Sequence, residues 1–263
     1  MNPTHRNIQT NPKIDERGLV NIYLPEGRGP FPFVMGIHGG GWCAGDRNSY
    51  HHFWPRIKRA GFAFVLGSYR ISQEDHYPAA YRDLMHLLKW LGRHGHEYQL
   101  NPDRCGLLGG SAGGHLVMLL AAKGTREGTG SCKIRAAVDY CGIMDLAAQF
   151  ERDNARGQVI TFAFIGGNPT RKPSACRDAS PIHQIHAKMP PVWMAHGTKD
   201  PIVPIGQSRR MAAKLRAAGH HPVYLEAKGR LHTLVKDDAA PKAKVEFLFE
   251  KQMIGFLKKH LLG

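Results

Sequence analysis

The stretch Arg104-Cys-Gly-Leu-Leu-Gly-Gly-Ser-Ala-Gly-Gly-His-Leu-Val-Met-Leu-Leu-Ala-Ala122 decides how this chain folds. A short apolar run, Cys105 to Leu108, reads as a strand and ends in a knot of small residues, Gly109 to Gly114. A helix-forming segment, His115 to Ala122, leaves it. Strand, sharp turn and helix with one serine at the apex is the sequence form of a nucleophile elbow, G-x-S-x-G, here Gly109-Gly-Ser-Ala-Gly113. A nucleophile held in an unfavourable backbone conformation brings neighbouring backbone so close that side chains beyond hydrogen clash, which is the steric reason for the glycines. The helix behind the serine points its free N–H groups and positive end at developing negative charge. So short a motif is equally the pattern of a plain glycine-rich turn. Its meaning depends on whether an acid, a base and an oxyanion hole stand at the ends of other strands.

Outward from the elbow, the apolar pattern alternates between strands and helices. Leu19 to Leu24 reads as an outer strand, and Phe31 to His38 and Phe62 to Ser68 as strands buried on both faces. A helix is expected over Asn48 to Arg59, and an amphipathic one over Tyr81 to Leu91. Downstream, Ile134 to Tyr140, Val192 to His196 and Val223 to Ala227 read as strands, with helices over Gly206 to Ala218 and Val245 to His260. The fold class is therefore α/β, a mainly parallel twisted sheet with helices on both faces. One domain over 1–263 is expected, with 146–190 as a small cap-like insertion.

Composition narrows the function classes. A chain of 263 residues can bury a sizeable core in one large domain, and its 42% apolar and 22% charged content is ordinary for a globular protein. No stretch approaches the ~20 apolar residues of a membrane helix. Met1 to Gly18 is polar and lacks the apolar centre of a secretory signal, so the expectation is a cytoplasmic protein, or a secreted one whose signal has been removed. Five widely spaced cysteines with no C-x-x-C do not make a disulfide framework. A net charge of +15 raises an anionic partner, but the basic residues are scattered and not interleaved with stacking aromatics. Neither nucleic acid nor membrane is expected as a partner. A basic solvated surface is the main reading, with steering of an acidic substrate as the alternative.

Serine becomes a nucleophile only when a base takes its proton. Among 16 histidines, His232 stands out because it lies in a loop directly after the last strand. His38 and His196 also end strands, but each precedes a glycine and reads as a loop-holding residue. The acid that fixes the imidazole tautomer is Asp200, in the tight turn Gly197-Thr-Lys-Asp-Pro-Ile-Val-Pro204, with Asp145 as the rival. The order Ser111, Asp200, His232 is that of a strand–helix hydrolase. Oxyanion donors are expected from Ala112, the residue after the nucleophile, and from Gly40 and Gly41 in His38-Gly-Gly-Gly-Trp42. Gly39-x-Gly41-x-x-Ala44 also meets a loose dinucleotide fingerprint, but the next strand ends in Leu66-Gly-Ser68 with no carboxylate for a ribose. His183 and His186, three apart, lack a third ligand, so no metal and no cofactor are expected.

Together these residues resemble the α/β-hydrolase superfamily, and within it the esterases similar to hormone-sensitive lipase. They look closest to bacterial esterases of the acetyl xylan and feruloyl group. The matching pieces are His38-Gly-Gly-Gly-Trp42, Ser68-Tyr-Arg-Ile71, Tyr77-Pro-Ala-Ala80, Asn101-Pro-Asp-Arg104, Gly109-Gly-Ser-Ala-Gly-Gly-His115, Ala179-Ser-Pro-Ile182 and His196-Gly-Thr-Lys-Asp-Pro201, covering roughly residues 19–260. The chain departs from the pattern at Ser68 and in Gly229-Arg-Leu-His232. The resemblance implies an α/β-hydrolase fold and a serine carboxylesterase acting through an acyl-enzyme on short-acyl esters, such as acetyl or feruloyl groups on plant polysaccharide. The partner is then a small-molecule or carbohydrate ester, with Trp42 and Phe162 as candidate substrate contacts. An arylformamidase-like amidase and a non-catalytic ligand-binding relative are the alternatives, the latter disfavoured by the presence of His232.

Overall fold

The computed structural model describes residues 2–151, 155–232, 234 and 249–263. Its strands are β1 (His5–Gln9), β2 (Leu19–Tyr23), β3 (Phe31–Ile37), β4 (Ala63–Gly67), β5 (Leu100–Gly110), β6 (Ile134–Tyr140), β7 (Val192–Gly197) and β8 (Val223–Ala227). They form one sheet in the order β1-β2-β4-β3-β5-β6-β7-β8, antiparallel at β1, β2 and β4 and parallel from there on. The first helices along the chain are α1 (Trp54–Arg59), α2 (Ala79–His94) and α3 (Ala112–Leu119). They are followed by α4 (Thr125–Glu127), α5 (Leu146–Phe150), α6 (Ala155–Ile165), α7 (Pro173–Ala179), α8 (Gly206–Ala217) and α9 (Glu250–Leu261). The outer strand expected at Leu19 is not the edge, because β1 pairs outside it. The expected closing helix from Val245 begins at Glu250 among the described residues; 245–248 lie outside them, as do 152–154 of the expected cap.

Alternation along each strand separates two cores. Phe33, Met35 and Ile37 of β3 and Ala63 and Val65 of β4 face α2, α3 and α8, while Val34, Phe64 and Leu66 face α1 and α9. This is the two-residue period of extended chain, with both faces covered. On α2, Leu84, Leu87, Leu88 and Leu91 recur at helical spacing, and all four are buried against the first core. No helix among the described residues is long and apolar enough to cross a membrane.

The segment between β6 and β7 packs into the first core. Phe164 and Ile165 of α6, Cys176 and Ala179 of α7, and Ile182 are all buried there. Phe164 stacks on Trp42 with ring centroids 4.4 Å apart.

A polar group lies within this interior. Asp139 on β6 is fully buried, and neither of its carboxylate oxygens has a hydrogen-bond partner. Its Oδ1 occupies the space where a Cβ on Gly114 or Gly142 would stand, so it is wedged beneath the start of α3. Burial pushes the carboxyl well above the ordinary range and favours the neutral form. An acid whose pKa is raised on folding contributes stability at low pH and loses it as pH rises above its unfolded value of about 4. Asp139→Asn removes that ionisation. The thermal midpoint of the variant relative to the parent is therefore expected to climb between pH 4 and pH 8, and a difference independent of pH would contradict it.

Candidate active site

The candidate nucleophile, acid, base and glycine loop each sit beyond the carboxyl end of a parallel strand: Gly39–Gly41 after β3, Ser111 after β5, Asp200 after β7 and His232 after β8. Parallel strands gather their following loops at one sheet edge, where ligands bind in such folds. Ser111 holds φ 56 and ψ −126, a strained conformation for a residue with a side chain. Its N–H donates to the Tyr140 carbonyl (2.8 Å), and its carbonyl accepts the His115 N–H (2.9 Å), the first bond of α3. A Cβ at Gly113 would stand 2.1 Å from the Ile37 oxygen, so only glycine lets α3 start this close to the end of β3.

The Asp200 carboxylate is fixed through both oxygens. Oδ1 accepts the N–H groups of Ile202 (2.8 Å) and Val203 (2.9 Å). Oδ2 accepts from His232 Nδ1 at 2.6 Å and from His196 Nε2 at 3.1 Å. Because Nδ1 of His232 donates to a carboxylate, Nε2 is the atom left to act as a base. Burial alone would raise the Asp200 carboxyl, but the bonds from His196 and His232 outweigh it and hold the group well below the usual carboxylate range.

His196 is buried, and its ring completes a relay of support. Nε2–H is shared between Asp200 and the Val203 carbonyl (2.9 Å), while Nδ1 accepts from Ser208 of α8 (2.7 Å). The acid loop and the base loop touch at Gly197, where a Cβ would lie 2.4 Å from the Arg230 and Leu231 oxygens. Cys141 braces them from below, its thiol donating to the His232 carbonyl at 3.1 Å. Cys141, His196 and Asp200 bring ligand-type atoms within 4.8 Å of one another. However, burial, then the charge of Asp200, pushes the thiol well above its ordinary value, and the carboxylate is already shared by two imidazoles. That donor set suits hydrogen bonding better than metal ligation.

Ser111 and His232 line one cleft of about 700 Å³, together with Gly39, Gly40 and Gly41. Gly40 and Gly41 hold φ 102 and 61, a left-handed path that glycine adopts without strain. Ala112 is the first residue of α3, where an N–H has no partner within the helix. Among the described residues, the backbone amides of Gly40, Gly41 and Ala112 donate to no other group outside regular structure.

Other candidates are placed elsewhere. Trp42 is 0% exposed: its own φ of 59 turns the indole inward, where Nε1–H donates to His115 Nδ1 (3.2 Å). It is a core residue, which corrects the expectation of a substrate contact. Nε2 of His115 in turn donates to the Ala179 carbonyl (2.7 Å), and burial lowers this histidine to about 4, keeping it neutral. Phe162, 50% exposed on α6, is likewise not among the residues lining the cleft. Asp145 caps α5, accepting the Ala148 N–H at 3.2 Å. His38, stacked on Tyr69 at 4.2 Å, holds the loop behind the cleft. The cleft also draws on Tyr50, Phe53, Tyr140, Ile160 and Ile202, which no motif marks because their roles depend only on where loops cross.

A family model described as BD-FAE matches residues 20–215. Among curated proteins, the probable carboxylic ester hydrolase LipM of Mycobacterium tuberculosis is 30% identical over 229 residues, covering 83% of this chain and 50% of that protein. Esterase LipQ of the same organism is 29% identical over 195 residues, covering 72% and 46%. The chain thus spans about half the length of these relatives. Among solved structures, a truncated carbohydrate esterase from gut microbiota superposes with a TM-score of 0.87 at 21% identity, over 100% of both chains. An acetyl ester-xyloside bifunctional hydrolase from Caldicellulosiruptor lactoaceticus gives 0.78 at 22% identity, over 97% of this chain and 98% of that one. Similarity at these identities establishes a shared fold.

An acid whose pKa is lowered on folding stabilises the protein above its unfolded value of about 4, and that contribution is lost as pH falls. Asp200→Asn is therefore expected to lower the thermal midpoint at pH 7, with the deficit shrinking as pH drops below 4. Thermal melts across this range check it, and an unchanged deficit at low pH would mean that Asp200 is not held ionised by its two histidines.

Proposed function

This chain belongs to the BD-FAE family within the α/β-hydrolase superfamily, and we propose that it is a serine carboxylesterase acting through an acyl-enzyme on short-acyl esters of carbohydrate or aryl alcohols. The main support is the pairing, in one cleft, of a serine at a strained strand–helix turn with a histidine whose Nδ1 is bonded to a buried carboxylate at 2.6 Å. Ser111 Oγ attacks the ester carbonyl carbon while His232 Nε2 takes its proton. Asp200, ionised and fixed through both oxygens, holds the Nδ1–H tautomer and stabilises the imidazolium. The amides of Gly40, Gly41 and Ala112 receive the oxyanion. His232 returns the proton to the departing alcohol, and the acyl-enzyme is then hydrolysed by a water that His232 deprotonates. We read residues 1–263 as one α/β-hydrolase domain, with 146–190 as its cap-like insertion.

The substrate class rests on the company the chain keeps: relatives described as an ester hydrolase and an esterase, and neighbours described as a carbohydrate esterase and an acetyl ester-xyloside bifunctional hydrolase. A cleft of about 700 Å³ with aromatic walls is in the range for a small ligand or a short stretch of a larger one.

Ser111→Ala is expected to lower kcat on 4-nitrophenyl acetate on the order of 10⁶-fold, and near-parent turnover would end the assignment. Asp200→Asn is expected to cost about 10⁴ in kcat, whereas Asp145→Asn should cost little. A larger loss at Asp145 would move the acid. A panel of nitrophenyl esters of rising chain length, acetylated xylan, a methyl hydroxycinnamate and an N-formyl aromatic amine separates the esterase from the amidase reading. Labelling of Ser111 by a fluorophosphonate separates either from a silent binding protein.

A further inference from the structure

Arg156, in the first turn of α6, lines the cleft that holds Ser111 and His232. The same lining holds the rings of Tyr50, Phe53 and Tyr140 and the aliphatic Ile160. No carboxylate stands among the described lining residues. Burial, then the adjacent His51, lowers His52, which is therefore uncharged at neutral pH. Among the described lining residues, Arg156 is thus the side chain with a permanent charge.

Several arginines elsewhere on the surface are paired with carboxylates. Arg17 pairs with Glu74, Arg47 with Glu16, and Arg209 with Glu226. Arg156 has no hydrogen bond or ion pair among the described residues. Nor does its position serve the helix, since a cation in the first turn opposes the macrodipole. A guanidinium in the cleft lining that is unpaired among the described residues, in a chain of net charge +15, is complementary to an anion carried by the ligand.

Building on the esterase reading, we propose that Arg156 makes this cleft selective for esters that carry a carboxylate, which its guanidinium binds while the ester carbonyl lies at Ser111. The planar fork of arginine matches the two carboxylate oxygens, and the charge-assisted pair fixes one end of the substrate so that the other is presented to the nucleophile. The carboxylate can sit on the acyl chain or on the alcohol, as in a uronic-acid sugar. Both present the same chemistry to Arg156.

Two matched substrate pairs distinguish these sources. 4-Nitrophenyl hydrogen adipate against 4-nitrophenyl hexanoate places the charge on the acyl side, and 4-acetoxybenzoate against 4-acetoxybenzamide places it on the alcohol side. In at least one pair the anionic member is expected to have a kcat/KM about tenfold above its neutral partner, carried mainly by KM. That ratio should fall toward one in Arg156→Ala, be partly kept in Arg156→Lys, and shrink with added salt in the parent protein. Equal rates within both pairs, or a preference that survives Arg156→Ala, would overturn the proposal while leaving the esterase reading intact. Failure of the parent protein to hydrolyse even the neutral members would overturn the esterase reading, and this proposal with it.

Discussion

The contact on which the site depends is the approach of α3 to the end of β3. Gly113 meets the Ile37 carbonyl at a distance that admits no side chain. With the helix pressed there, the chain must reverse within one residue after β5, and Ser111 takes a positive φ to do it. The strain is local, and it is held by packing on both sides: Ser111 N–H on the Tyr140 carbonyl, and Asp139 filling the space left by Gly114 and Gly142. Strain of this kind, of order 1–3 kcal/mol, persists only where the surroundings over-determine it. Here two neighbouring strands and a helix do so.

Electrostatics divides the same region into opposite regimes. Asp139 lies on β6 and Asp200 follows the neighbouring β7, and both are buried, yet their carboxyls shift in opposite directions. Asp139 meets glycine backbone and no cationic or donor side chain, so desolvation decides. Asp200 meets two backbone N–H groups and two imidazoles, so hydrogen bonding decides. Burial alone does not predict the state of an acid; the donors within reach do.

Much of this is legible in the sequence because the informative residues follow buried strands. β6 and β8 have the limits that their apolar runs suggest; Ser111 and His232 each follow such a run into one cleft, and Asp200 follows another to bond His232 from behind. What is not legible has physical causes. β1 is a polar edge strand held by its ladder to β2, so it carries no apolar period. Trp42 follows three glycines at a strand end and reads as a site residue, but a left-handed turn at Gly41 and Trp42 sends its ring the other way. On α6, Val159 and Phe162 are exposed while Phe164 and Ile165 are buried, so apolar residues lie on both sides of the helix and composition cannot assign its inner face. Arg156 bears no motif at all.

Trp42 is wedged between the Gly39–Gly41 loop and the segment above it, stacked on Phe164 and bonded to a histidine that is itself bonded to Ala179. The segment between β6 and β7 is thus keyed into the main core instead of resting on it. Lifting it as a rigid flap would strip an indole, a phenylalanine and a neutral imidazole of their packing at once. Any exchange of the segment between β6 and β7 with that of a relative would have to carry the matching partner at position 42 with it, because the two halves of that joint are one packing unit.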